Sequence, residues 1–220
     1  EARHPVFVAL RETVARHAIA SQPFHDLIHA FEQDQRVSRY HTYRQLLDYC
    51  VYSANPVGRL VLQLCGYDDE ERRRLSDATC TALQLANFWQ DVARDLSKGR
   101  VYIPQEDMAA HGYRLDDLEQ RRYNKNFREL MKDLVNRAHM LFLKGLPLVR
   151  RVDRRLAVDL ELFSRGGLAI LEKIRAQDYN VLAGRPVLGK WDRLALLARA
   201  LSATLFPSRD REGAIAHARR

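Results

Sequence analysis

The chain is expected to fold as an all-α protein, and three observations carry that expectation. Nearly every long segment repeats its apolar residues with a helical period, no stretch alternates in the manner of a strand, and residues that stop helices stand where the periods break. At 220 residues, with 46% hydrophobic and 29% charged residues, the chain suits one domain with a sizeable core and is not generally disordered.

Taken in order, Phe24, Leu27, Ile28 and Phe31 form one apolar stripe. Tyr43, Leu46, Leu47, Cys50, Val51, Ala54, Val57, Leu60, Val61 and Leu64 continue the period over about six turns. Pro56 lacks the amide that would bond four residues back, so a kink is expected there, with Gly58 just beyond. The next helix runs from Asp69 to Leu96 and stops at Gly99, before a loop carrying Tyr102-Ile103-Pro104. Later periods hold Phe127, Leu130, Met131, Leu134, Ala138 and Leu141, then Leu156, Leu160, Phe163, Ile170, Leu171 and Ile174. A last one holds Trp191, Leu194, Ala198, Leu201 and Leu205. No repeat, low-complexity tract or linker interrupts the sequence, so residues 1–220 read as a single domain of antiparallel helices around a central space.

The net charge is +8 and the pI about 9.6. A solvated basic face, an anionic membrane surface and a polyanionic substrate all fit that balance. Nucleic acid is the poorest fit. The basic clusters (Arg72 to Arg74, Arg150-Arg151, Arg154-Arg155, Arg219-Arg220) are not interleaved with stacking aromatics, and no nucleic-acid motif is present. No apolar run reaches the length of a membrane span, and the N-terminus has no secretory layout. Cys50, Cys65 and Cys80 fit neither a zinc template nor a disulfide framework, and are expected to be buried thiols in a reducing cytoplasm.

The third helix carries the chemistry. Gln84, Asn87, Asp91 and Asp95 fall within an arc of about 80° at 100° per residue, so one face presents two amides and two carboxylates. Carboxylates one turn apart can share a hard cation such as Mg²⁺, which also takes water and substrate phosphates as ligands. Taken alone, an acid pair at that spacing is more often a solvated helix face. Its mutual repulsion and the apolar opposite side (Leu83, Ala86, Val92, Ala93, Leu96) favour a cation partner. Lys98, Arg100 and Tyr102 follow at the helix end, where donors could hold phosphate oxygens.

The stretch Gln84 to Asp95, followed by Gly99-Arg100-Val101-Tyr102-Ile103-Pro104, resembles the second aspartate-rich signature of the squalene and phytoene synthase family. Tyr49 to Gly58 (YCVYSANPVG) is similar to that family's tyrosine-cysteine-to-glycine motif, and Phe24 to Asp34 with Arg39-Tyr40 fits the helix before it. The close resemblance covers about residues 5 to 104; the Tyr179 to Leu182 and Arg185-Pro186 regions are similar but less distinctive. It implies an all-α isoprenoid synthase fold with a central active-site cavity, and Mg²⁺-assisted loss of diphosphate from a prenyl substrate. It further implies Asp91 and Asp95 as metal ligands, with Asn87 and Gln84 supporting them. Tyr49 would be the active-site tyrosine, and Arg39, Tyr40, Arg59 and Arg100 diphosphate contacts. Each has a plainer reading: Tyr49 as a buried hydrogen-bonded tyrosine, Arg39 and Arg59 as surface ion-pair residues. Of Phe31, Phe88 and Trp89, at least two are expected to be core packing rather than cation-stabilising walls.

Two departures point to one branch. Gln90 stands where the family usually has arginine, and Asn55-Pro56 replace the small residues of phytoene synthases. Both look like hydroxysqualene synthases, which implies conversion of presqualene diphosphate and water to hydroxysqualene in hopanoid synthesis. Farnesyl diphosphate remains the alternative substrate, and squalene, presqualene diphosphate, phytoene or dehydrosqualene synthesis the alternative reaction. A non-catalytic family member is a third reading. No NADPH is expected, and no glycine-rich dinucleotide fingerprint occurs. Nothing before Asp34 matches the family's first aspartate-rich motif. The resemblance thus implies an N-terminally truncated chain with half the metal cage missing, doubtful activity on its own, and an exposed apolar groove. Peripheral attachment to the inner membrane, aided by Arg209, Arg211, Arg219 and Arg220, is a further expectation.

Overall fold

The computed structural model describes residues 4–205, and among these the architecture is all-α. α1 (Pro5–Arg16) and α2 (Gln22–Gln33) lead into α3 (Tyr43–Ser53), α4 (Asn55–Leu64) and the long α5 (Glu70–Leu96). Two short helices, α6 (Gln105–Ala110) and α7 (Leu115–Glu119), precede α8 (Lys125–Gly145), a 3₁₀ turn at Leu146–Arg150, α9 (Arg154–Ala176) and α10 (Lys190–Leu205). Arg39 and Val101 form an isolated parallel bridge, and no strand occurs among the described residues.

α5 is the axis of the molecule. Its 27 residues span about 40 Å at 1.5 Å per residue, and it packs against α8, α4 and α9. Asp69 caps its N-terminus by accepting from the Arg72 amide at 3.0 Å, with Glu70 and Glu71 in the positive first turn. At the other end Gly99 takes φ +73°, a left-handed value that suits a residue without Cβ. The Arg100 amide then bonds back to the Asp95 carbonyl at 2.9 Å. That reversal turns Arg100 and Tyr102 toward the acidic end of the helix that precedes them.

The sequence period over Tyr43–Leu64 resolves into two helices. Ala54, at φ −121° and ψ −48°, separates α3 from α4, and Pro56 sits in the first turn of α4, where its missing amide costs nothing. Asn55 and Pro56 are both buried, and the Asn55 Oδ1 accepts from Thr81 Oγ1 of α5 at 2.9 Å. Gly58 lets α4 approach α5 closely. A Cβ there would lie 2.3 Å from Ser76 Oγ and 2.5 Å from Cys80 Sγ.

The core is continuous along α5, α8 and α9. Phe127, Leu130, Met131, Leu134, Ala138 and Phe142 of α8 are fully buried against it, and each of the larger side chains contributes about 1.5–3 kcal/mol. Leu141 is half-buried. The α2 stripe behaves differently: Ile28 is 53% and Phe31 63% exposed, as are Val57 and Val61 of α4 in large part. These side chains give α2 and α4 an exposed apolar surface. One sequence expectation needs correction. Cys65 is exposed at the α4 C-terminus rather than buried, whereas Cys50 is buried and Cys80 half-buried. Phe88 and Trp89 are core and Phe31 is exposed, in keeping with the expectation that at least two of the three are core packing. On α10 Trp191 and Leu194 are exposed. The Leu201 and Leu205 side chains lie outside the described residues, and so do Arg209, Arg211, Arg219 and Arg220. No helix among the described residues is long and apolar enough to cross a membrane.

Candidate active site

Tyr49 lies on the buried face of α3 and donates to Asp34 Oδ1, at the α2 C-cap, over 2.9 Å. Burial, and then the Asp34 carboxylate, push its hydroxyl well above the usual tyrosine range, so it stays protonated and donates a hydrogen bond at neutral pH. Arg100 reaches the same cap. Its Nη2 donates to the Asp34 carbonyl at 3.2 Å, and its Nη1 lies 3.9 Å from Asp34 Oδ2 and 3.3 Å from Tyr102 Oη. Tyr102 stacks on Phe88 of α5 with centroids 3.8 Å apart at 10°. Tyr40 joins this aromatic layer at 5.6 Å from Tyr49 and 5.9 Å from Tyr102, and burial raises its hydroxyl too. Expected site residues from α3, the loop before it and the segment after α5 are therefore brought together around Asp34.

The acid pair sits beside this cluster. Burial first, and the like charge of Asp91 second, hold Asp95 above the usual carboxylate range, against the pull of Lys98, Arg94 and Arg100. Asp95 shares with Phe88, Arg100 and Tyr102 the wall of a void of about 10 Å³, room for at most one water. On the same face Gln84 is half-buried and Asn87 is exposed. The larger space is a groove of about 550 Å³ lined by Gln33, Arg36, Arg39, Tyr40, Tyr49 and Tyr52, among others. Gln84, Asn87 and Asp91 line neither volume.

Asp91 has a partner that local sequence does not suggest. Arg185, in the segment between α9 and α10, donates through Nε to Asp91 Oδ1 at 2.6 Å and through Nη2 to Asp91 Oδ2 at 3.1 Å. Its Nη2 also lies 3.1 Å from Gln90 Oε1, and Gln90 Nε2 donates to the Pro186 carbonyl at 2.5 Å. The partners are 94 residues apart, a distance at which periodicity carries no signal. The resemblance around Arg185-Pro186 was the one available hint.

Two expected diphosphate contacts are engaged elsewhere. Arg39 pairs with Glu119 of α7 at 3.2 Å while lining the groove. Arg59 forks onto Asp77 at 3.0 and 2.7 Å. Asp77 lies fourteen residues before Asp91, about 21 Å down the helix axis, so Arg59 is removed from the acid pair. The ion-pair reading of these two arginines is what their geometry supports.

Among the described residues no group of three or more His, Cys, Asp or Glu side chains could hold a metal ion. The available donors are the two carboxylates, with an amide one turn up. That set suits a hard cation which completes its shell with water and phosphate oxygens, and the elevated Asp95 is a carboxylate that added positive charge would relieve. The Arg185 guanidinium already places one positive charge on Asp91.

A family model for squalene/phytoene synthase matches residues 1–192. The chain belongs to that family. Phytoene synthase of Thermus thermophilus is 34% identical over 191 residues, covering 85% of this chain and 65% of the relative. Chloroplastic phytoene synthase 1 of Arabidopsis thaliana is 32% identical over 208 residues, 90% of this chain and 48% of the relative. The chain thus spans about half the length of its plant relatives. Squalene synthase HpnC from Alicyclobacillus acidocaldarius superposes with a TM-score of 0.80 at 49% identity, over 82% of this chain and 68% of that one. A dehydrosqualene synthase superposes at 0.83 with 22% identity, over 91% and 71% of the respective chains, which speaks for the fold alone. As a squalene/phytoene synthase family member, the chain has the isoprenoid synthase fold that its helical periods and motifs led one to expect.

Proposed function

We propose that the protein is a Mg²⁺-dependent head-to-head prenyl synthase that converts presqualene diphosphate and water to hydroxysqualene and diphosphate. The observation that carries this reading is the α5 face itself: Asp91 and Asp95 one turn apart, bordered by Arg100, Tyr102 and Arg185. The 49% identity to squalene synthase HpnC supports the branch, as do Gln90 and Asn55-Pro56.

Asp91 and Asp95 would hold the metal, which when bound supplies positive charge to a departing diphosphate. Arg100 and Arg185 add donors on the same rim. Asp34 fixes the Tyr49 hydroxyl, and the half-buried Tyr102 ring, backed by the core residue Phe88, would offer π-surface to a cationic hydrocarbon. Ionisation breaks the carbon–oxygen bond to diphosphate; water then bonds to the rearranged cation and gives up one proton. No reductant enters that balance, so no NADPH is called for.

The test is product analysis of the full-length protein incubated with presqualene diphosphate and Mg²⁺ without NADPH, beside an Asp91→Ala/Asp95→Ala double variant. Hydroxysqualene from the wild type and none from the variant supports both branch and site; no hydroxysqualene sinks the branch. The phytoene synthase relatives favour a second reading, in which geranylgeranyl or farnesyl diphosphate is turned over in the same assay. The basic surface also suggests peripheral attachment to an anionic inner membrane. Equal sedimentation with anionic and neutral vesicles would remove that part.

A further inference from the structure

Arg185 and Gln90 form a small device on the rim of the acid pair. The backbone around Arg185 is fixed from both sides: Val181 and Leu182 are buried in the core, and the Pro186 carbonyl is held by Gln90. The Arg185 side chain is 42% exposed, whereas Asp91 is 16% exposed. The guanidinium donates to both Asp91 oxygens, the atoms through which Asp91 would hold a cation. It competes there with a bound dication, because like charges would then share one carboxylate. Its contact with Gln90 Oε1 involves neither Asp91 oxygen and can survive the exchange.

We propose that Gln90 is a positioning residue: when a divalent cation displaces Arg185 from Asp91, Gln90 keeps the released guanidinium at the rim, where it anchors the anionic head of the substrate. This rests on the reading of Asp91 as a cation ligand. Glutamine suits the task because it is buried, neutral, and carries an acceptor for Arg185 and a donor for the Pro186 carbonyl on one amide. A carboxylate at this position would hold the guanidinium as tightly as Asp91 does and keep it from an anion. A cationic side chain would repel it.

The experiment titrates the full-length protein first with Mn²⁺ alone, followed by paramagnetic resonance of free Mn²⁺, and then with inorganic diphosphate at saturating Mn²⁺, followed calorimetrically. Arg185→Ala should bind Mn²⁺ about threefold to tenfold more tightly, because a competing charge-assisted pair is gone, and bind diphosphate more weakly by a similar factor. Opposite shifts from one substitution are not what a merely structural residue produces. Gln90→Met and Gln90→Glu should both weaken diphosphate binding, and Gln90→Met should leave Mn²⁺ affinity within about twofold of the wild type, since the Asp91–Arg185 pair remains. Unchanged or weaker Mn²⁺ binding by Arg185→Ala overturns the exchange. Wild-type diphosphate affinity in both Gln90 variants overturns the positioning role. If neither the wild type nor Arg185→Ala binds Mn²⁺, the cation reading of the acid pair fails first and takes this proposal with it.

Discussion

The Tyr49 hydroxyl and the Asp34 carboxylate meet at 2.9 Å, and that bond ties the middle of α3 to the end of α2. Arg100 holds the same cap from the α5 side. Tyr49→Phe should cost about 0.5–1.5 kcal/mol, the net value of one hydrogen bond. Asp34→Ala should cost more, about 1–3 kcal/mol, because it leaves the buried Tyr49 donor unpaired. Urea midpoints at fixed slope will rank the two; the reverse order would mean that the bond is slack in solution.

Two glycines should respond to alanine with opposite sign. Gly58→Ala pushes a methyl into Ser76 and Cys80, and overpacking of this kind costs about 1–3 kcal/mol. Gly166, within α9, faces open space where an alanine methyl would point, so Gly166→Ala should stabilise by about 0.5–1 kcal/mol. Thermal unfolding of both variants checks the contrast.

The three thiols should separate cleanly. Burial pushes Cys50 up to about 12 and Cys80 up to about 11, whereas Cys65 is exposed. A chromogenic disulfide reagent should therefore label one thiol quickly in the native protein and all three after denaturation. Fast labelling of two or three would show that α3 or α4 opens readily.

The turn after α9 should be sensitive to acid. Arg128 donates to Asp178 Oδ1 at 2.5 Å, and the Tyr123 hydroxyl donates to its Oδ2 at 2.9 Å; together these hold the Asp178 carboxyl below its ordinary range, Arg128 contributing most. A lowered carboxylate pKa adds stability above the unfolded value, and that stability is lost as pH falls through the folded value. Asp178→Asn should thus be less stable than the wild type at pH about 7, and the gap should close below pH about 4. A gap independent of pH would assign the effect to packing.

Much of this architecture is legible in the sequence itself. Apolar periods locate the long helices, Asp69 and Gly99 mark the ends of α5, and angular spacing alone puts Gln84, Asn87, Asp91 and Asp95 on one face. What escapes is whatever depends on partners far along the chain. Arg59 reads equally well as a phosphate ligand or an ion-pair residue until Asp77 is found opposite it. Asp91 lies in a periodic segment and Arg185 in the non-helical stretch between two others, and no local pattern couples them. The exposed side of α2 has the pattern of a core stripe; burial depends on what packs against a stripe, which its own period does not encode.

The left-handed Gly99 reversal has a consequence for the order in which the site assembles. Asp91, Asp95, Arg100 and Tyr102 all fall within twelve consecutive residues, so that half needs little more than one helix end and one turn. Arg185 must close a loop of 94 residues to reach Asp91. By the logarithmic growth of closure entropy this costs about 2 kcal/mol more than a ten-residue loop. Closure entropy therefore favours the acidic face and its nearest cations as the part that forms locally, and leaves the Asp91–Arg185 pair to depend on the packing that brings the distant segment back to α5.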